Sequence, residues 1–282
     1  MKITAKTKLY GIIGDPIRHS RSPRMHNLAL DKAGIDGVFL AFEGNLSNIE
    51  EVVGAFRVLG VQGGSVTMPV KSAAAALMDR LSREAQLIGA INVFKNEDGQ
   101  LVGYNTDGIG FVRMLEEHGV AYQGRRVVQA GVGGAGRAVA VQLALSGVRE
   151  LVLCDLDMEK AKETARLICE NIPECRALAC KADEENLRLQ LLCGTDIYVD
   201  CTPLGMPPLE DKSMLSSFEG IPTELAVVDI CYEPPKTKLL QMAEAHGCKI
   251  LNGMDMMFHQ GAGAFEIWTG TPMPLDYVRE HF

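Results

Sequence analysis

Residues 127–155 constrain this chain more than any other stretch. An apolar β-like run leads into Gly131-Val132-Gly133-Gly134-Ala135-Gly136. An apolar helical segment that Gly147 can cap follows, and a second β-like run ends at Asp155. Gly131, Gly133 and Gly136 satisfy G-x-G-x-x-G, and Asp155 stands about 20 residues beyond the last of them, the interval at which an acid can meet a ribose. Lacking Cβ atoms, the three glycines let the chain turn tightly, approach a pyrophosphate, and pack helix on strand. The helix behind them aims free N–H groups and the positive end of its dipole at the phosphates. Glycine triplets also mark turns that bind nothing. Here the strand, loop, helix, strand and acid stand in the order of a dinucleotide-binding unit.

With 282 residues the chain is long enough for about two domains, each with its own core. A net charge of -8 without any basic stripe argues against a nucleic-acid face, so a small-molecule partner is expected. No apolar run reaches the length of a membrane span, and Met1-Lys2-Ile3-Thr4 does not open a secretory signal, which places the expectation in the cytoplasm. All eight cysteines fall between Cys154 and Cys248 without a C-x-x-C pair, a spacing that suits buried reduced thiols better than disulfides or zinc. The six histidines form no H-x-x-x-H cluster, and no metal is expected.

Strand and helix alternate through the first hundred residues, as in a parallel α/β layer. β-like runs cover residues 8–13, 38–42 and 62–68. Ser22-Pro23 reads as an N-cap with proline at the first helical position, Ser47-Asn48-Ile49-Glu50 as a capping box, and residues 69–81 as an alanine-rich helix. Asp98-Gly99 between residues 91–94 and 101–104 suggests a hairpin, making that sheet edge mixed. Further β and α segments run to Leu251, the clearest strands being 197–200 and 226–230. Residues 253–268 form an apolar helix whose methionines read as core. Two α/β domains follow, meeting at the short polar segment 103–108, which suggests a tight hinge. The fold class is thus α/β: an N-terminal mixed α/β domain and a doubly wound nucleotide-binding domain of Rossmann type.

Several short stretches together resemble one family, the shikimate/quinate dehydrogenases. Ser20-Arg21-Ser22-Pro23-Arg24-Met25-His26-Asn27 is similar to its S-x-S-P-x-x-H-N opening, and Val66-Thr67-Met68-Pro69-Val70-Lys71 to V-T-x-P-x-K. Gly89-Ala90-Ile91-Asn92 is similar to G-A-x-N, and Gly103-Tyr104-Asn105-Thr106-Asp107-Gly108 to G-x-N-T-D-G. Residues 253–260 with Phe265 and Trp268 resemble the terminal helix, so the likeness spans about residues 8 to 280.

The resemblance implies oxidation of a ring hydroxyl on shikimate or quinate to the 3-dehydro acid, reversibly, with NAD or NADP. It implies a substrate domain of residues 1–106 and 252–282, the terminal helices returning to it, and a dinucleotide domain of 107–251 with substrate in the cleft between them. Lys71 and Asp107 are implied as the catalytic pair. Ser20, Ser22, Thr67, Asn92, Tyr232 and Gln260 are implied as substrate contacts. Gly134 and Ala135 within the glycine loop, Thr202, Gly205, Met206 and Gly253 are implied as cofactor contacts, in a monomer or homodimer. Six of them have a plainer reading: Lys71 as a solvated first-turn residue, Asp107 and Ser22 as N-caps, Asn92 and Gln260 as buried amides serving backbone, Tyr232 as core.

This chain departs from the family pattern at three places. Ser65 stands where most members carry asparagine, which leaves shikimate, quinate and related cyclic hydroxy acids all possible substrates. Cys154-Asp155-Leu156 stands where NADP-using members carry Asn-Arg-Thr, and an aspartate suits a free 2′-hydroxyl. Against a 2′-phosphate it costs about 4 kcal/mol per pair of unit charges at 4 Å and an effective dielectric near 20, partly offset by Arg137, Lys160 and Lys162, so NAD is expected to be preferred. Asp200-Cys201-Thr202 stands where the family more often reads N-x-T. A sensor that binds NAD or shikimate without turnover is the rival reading, and the presence of Lys71 and Asp107 counts against it.

Overall fold

The computed structural model describes residues 3–282; Met1 and Lys2, the start of the stretch expected not to open a signal segment, lie outside the described residues. The chain divides into two compact units, Met1–Gly110 with Phe258–Phe282, and Phe111–Met257. The crossings fall inside two helices, α5 (Asp107–Glu117) and α10 (Met254–Thr269), and the segment 103–108 that read as a hinge lies wholly within the first unit. No helix among the described residues is long and apolar enough to cross a membrane.

The first unit holds a six-stranded sheet. Its strands are β1 (Lys8–Gly14), β2 (Gly37–Glu43), β3 (Gly63–Val66), β4 (Arg80–Leu81), β5 (Val93–Glu97) and β6 (Gln100–Tyr104), in the order β2-β1-β3-β5-β6-β4. The first three strands are parallel, whereas β5 runs antiparallel to both β3 and β6. The mixed edge arises as expected, at Asp98 and Gly99, whose φ angles of 54° and 92° make the tight turn of a two-residue hairpin. Ile13, Val53, Phe56, Val66, Phe94 and Leu101 build one core. On the other face Trp268 lies over Gly63, where a Cβ would come within 2.5 Å of the indole, and its Nε1 donates to the Phe94 carbonyl at 2.9 Å.

Three local expectations fail here. The alanine-rich stretch forms only α3 (Lys71–Ala75), because Asp79 accepts from Leu101 N–H at 2.6 Å and β4 is drawn beside β6. Sheet pairing overrides helix propensity there. Helix α1 (Ser22–Lys32) begins at Ser22 with Arg21 in the N-cap position, so Ser22 is not the cap. The capping box before α2 (Ile49–Val58) does not form, since the Ser47 hydroxyl donates to Asn45 Oδ1 instead. Helix α4 (Arg83–Ile88), capped by Ser82, went unread in the sequence.

The second unit is a fully parallel sheet. Its strands are β7 (Arg126–Ala130), β8 (Glu150–Asp155), β9 (Arg176–Lys181), β10 (Ile197–Asp200), β11 (Ala226–Asp229) and β12 (Lys249–Leu251), in the order β12-β11-β10-β7-β8-β9. Numbered within the unit that is 6-5-4-1-2-3, the doubly wound order, with its reversal between β7 and β10. Helix α6 (Gly134–Leu145) follows the glycine loop, and α7 (Met158–Asn171), α8 (Glu184–Leu192) and α9 (Lys238–His246) complete the unit. The central strands β7, β8, β10 and β11 are buried on both faces, which explains their largely apolar sequences. All eight cysteines are free; Cys169 and Cys193 are exposed, against the expectation of burial.

Candidate active site

Lys71 opens α3 and Asp107 opens α5, and the fold brings them together: Lys71 Nζ donates to Asp107 Oδ2 at 2.6 Å. Their side chains are 22% and 11% exposed, so the pair is sheltered yet reachable. Asn92 Nδ2 donates to the other carboxylate oxygen, Oδ1, at 2.7 Å, and lies 3.4 Å from Gln260 Oε1. The same amide accepts from Thr106 N–H at 2.7 Å through its Oδ1. Thr106 in turn donates its hydroxyl to the Gln260 carbonyl at 3.0 Å. Five residues, Lys71, Asn92, Thr106, Asp107 and Gln260, thus form one network inside the first unit. Thr106 is a member that motif reading passed over, although it sits in Asn105-Thr106-Asp107. Asn105 supports it by donating to the Ala90 carbonyl and accepting from Asp107 N–H.

Thr67 follows β3, half-buried, with its N–H bonded to the Ile13 carbonyl at 2.9 Å. Ser20 Oγ accepts from Ser22 N–H at 3.3 Å, and both serines are half-buried at the start of α1. His26, further along the same motif, is core rather than site. It is 1% exposed, with Phe39 and Trp268 ring centroids at 4.6 and 4.8 Å, and burial pushes its pKa down to about 3.

In the second unit the glycine loop has the expected form. Gly131, at φ 86°, has no room for a Cβ, which would meet the Cys201 carbonyl at 2.8 Å; a Cβ on Gly136 would meet the Gly131 oxygen at 2.2 Å. Gly133 and Gly134 are exposed and open, and a Cβ at either would meet nothing within 4 Å, as a phosphate seat requires. Gln129, fully buried and missed in the sequence, grips the loop from below, Nε2 donating to the carbonyls of Gly131 (2.9 Å) and Gly136 (2.8 Å). Asp155 closes the loop from the side: Oδ2 accepts from Val132 N–H at 2.7 Å and Oδ1 from Asp157 N–H at 2.9 Å. The cations expected to offset its charge are already engaged, Arg137 with Glu163 at 2.9 Å, Lys160 with Asp157 at 3.6 Å, and Lys162 with Glu159 at 2.8 Å.

Thr202 lies half-buried after β10. Gly205, at φ 89°, packs on Thr237, and Met206 is 41% exposed. Tyr232 is half-buried after β11. Gly253 is required by close packing, for a Cβ there would lie 1.8 Å from the Ile230 oxygen. One group that no sequence spacing could show joins Glu117, His118 and Asp255, whose ligand atoms lie within 4.8 Å of one another. His118 Nε2 meets Asp255 Oδ2 at 2.8 Å.

Residues 12–94 match the family model for a shikimate dehydrogenase substrate binding domain, and residues 253–281 that for a shikimate 5′-dehydrogenase C-terminal domain. A curated relative from Alkaliphilus metalliredigens, shikimate dehydrogenase (NADP(+)), is 45% identical over 99% of this chain and 97% of its own. The chain belongs to the shikimate dehydrogenase family. It is with that family an oxidoreductase. The shikimate 5-dehydrogenase of Listeria monocytogenes, solved in complex with shikimate and NAD, shares the fold with a TM-score of 0.96 at 41% identity, covering 100% of this chain and 98% of that one. Quinate dehydrogenase from Corynebacterium glutamicum in complex with NAD gives 0.89 at 31% identity, covering 97% and 98%. A substrate domain joined to a dinucleotide domain is therefore the architecture of this shikimate dehydrogenase relative.

Proposed function

We infer that the protein interconverts shikimate, and to a lesser degree quinate, with the 3-dehydro acid by hydride exchange with a nicotinamide dinucleotide. The observation that carries this reading is the sheltered Lys71–Asp107 pair, held by Asn92 beside Gln260. A carbinol that loses hydride must lose its hydroxyl proton in the same event, to a group within hydrogen-bond reach. Lys71 Nζ donates one N–H to Asp107 and, as the amine that takes the proton, presents its lone pair to the substrate hydroxyl. Asp107 orients the amine, and Asn92 fixes the carboxylate from behind. Thr67 and Gln260 offer hydrogen bonds to the remaining ring hydroxyls. Ser20 and Ser22, at the N-terminus of α1, suit the ring carboxylate.

The bound dinucleotide supplies the hydride acceptor. The open Gly133-Gly134 seat and the N-terminus of α6 fit its pyrophosphate. NAD is the preferred form in this reading. Each Asp155 oxygen already accepts one backbone N–H and keeps a lone pair for a ribose hydroxyl, whereas a 2′-phosphate would face that carboxylate with Arg137, Lys160 and Lys162 committed to acids. A second reading, NADP use, is favoured by the names of the curated relatives and by Lys181, the register partner of Asp155 across β8 and β9. The deciding measurement is kcat/KM for shikimate and quinate, each with NAD and NADP. Shikimate with NAD is expected to lead. A clear NADP advantage would sink the argument from Asp155, and absence of turnover in all four combinations would sink the enzymatic reading.

A further inference from the structure

One buried acid has no role in the chemistry above. Asp200 ends β10, is 1% exposed, and among the described residues no cation is paired with it. Its neighbour in register on β11 is another buried acid, Asp229. What surrounds Asp200 is a set of donors. Thr202 gives Oδ1 both its backbone N–H, at 2.8 Å, and its hydroxyl, at 2.6 Å, while the Tyr198 hydroxyl gives to Oδ2 at 3.1 Å. Thr202 Oγ1 then accepts from Leu204 N–H at 3.3 Å, so the turn after β10 hangs from this one carboxylate.

That turn is packed directly on the glycine loop. A Cβ at Gly131 would lie 2.8 Å from the Cys201 carbonyl carbon and oxygen and 3.0 Å from Thr202 N, and one at Gly136 would lie 3.1 Å from Cys201 Cβ. Both segments leave the carboxyl ends of β7 and β10, the adjacent strands at which the sheet reverses direction and at which open α/β sheets take their ligands. A shift of Thr202 therefore has to move against Gly131 or open a gap beside it.

We propose that Asp200 is a positioning residue for dinucleotide binding, setting the turn at Cys201–Gly205 against the glycine loop through its two bonds to Thr202. The proposal rests on the dinucleotide reading above and adds a residue to it. The bonds need an acceptor at Oδ1 and not a charge, so asparagine can replace aspartate while alanine cannot. The Tyr198 hydroxyl bonds the other oxygen, Oδ2, and not the Oδ1 that holds Thr202, which makes it the control for general damage to the buried surroundings.

The test is calorimetric titration of the whole protein with NAD and with NADP, without substrate, alongside steady-state KM values for both reactants. D200A is expected to bind the dinucleotide about tenfold more weakly, the order of one hydrogen bond to a charged group, with the KM for shikimate unchanged. D200N is expected to restore wild-type affinity, and Y198F to keep it. Equal affinity in D200A and wild type overturns the proposal, as does a loss in Y198F matching that in D200A, or a failure of D200N to rescue. Should D200A not fold, T202V carries the test by deleting the hydroxyl bond, and unchanged dinucleotide affinity in it overturns the proposal. A wild-type protein that bound neither dinucleotide would instead remove the functional reading itself.

Discussion

His26 makes the first unit acid-labile by an amount that can be worked out. Its ring lies against Phe39 and Trp268, its Nδ1 has no hydrogen-bond partner, and burial holds its pKa at about 3 against an ordinary 6.5. A histidine whose folded-state pKa is depressed contributes stability that is present above the unfolded value and lost as pH falls toward the folded one. Two units below the unfolded value, at pH about 4.5, the loss amounts to about 3 kcal/mol, at roughly 1.4 kcal/mol per unit. Many other groups titrate over the same range, so the experiment is a double difference. Urea unfolding of wild type and of His26→Leu is measured at pH 7.5 and pH 4.5. Wild type is expected to lose about 3 kcal/mol more than the leucine variant. Equal losses in the two proteins would refute the reasoning, by showing that water or an unrecognised partner reaches the ring in the native state.

Asp200 works in the opposite direction: burial, reinforced by Asp229, raises its pKa to about 6, so the stability it contributes is present at low pH and lost as pH rises through that value. The stability of wild type relative to D200N is expected to fall by up to about 3 kcal/mol between pH 4 and pH 7.5, read as the gap between their unfolding free energies. Lys71→Ala should lower kcat by about a hundredfold with substrate binding kept, measured at saturating dinucleotide; unchanged turnover removes Lys71 from the chemistry. Arg126 is 8% exposed and bonds Glu150 at 2.6 Å and Gln190 at 2.6 and 2.8 Å, so Arg126→Met, which strands those partners, should cost about 3 kcal/mol or more in thermal unfolding.

Much of the fold could be read along the chain. The glycine loop, its flanking strands and the Asp98-Gly99 hairpin each rest on local rules, periodicity and backbone freedom, and each stands in the structure. The failures share a cause. Residues 69–81 read as one helix because alanine favours helix locally, yet Asp79 bonds Leu101, a partner 22 residues on, and the sheet takes the chain. The capping box misled in the same way, since Ser47 satisfies Asn45 rather than the helix. The site was legible only as a set of motifs. Lys71 and Asp107 are 36 residues apart, Asn92 and Gln260 are 168 apart, and no spacing rule joins them. Gln129 went unseen, and Asp200 showed only as a departure from N-x-T with no role attached, for another reason. Each is a polar residue at the end of an apolar strand, where its value lies in which backbone groups it meets.

Gln129 carries a consequence for how the dinucleotide is received. By holding the Gly131 and Gly136 carbonyls at once, it shapes the loop in the free protein, and Asp155 fixes the Val132 amide from the other side. The ordering entropy of that segment is therefore spent during folding and not at association. Dinucleotide capture should accordingly proceed with a heat-capacity change set by the ligand surface removed from water, without the additional increment that marks coupled folding of a disordered loop.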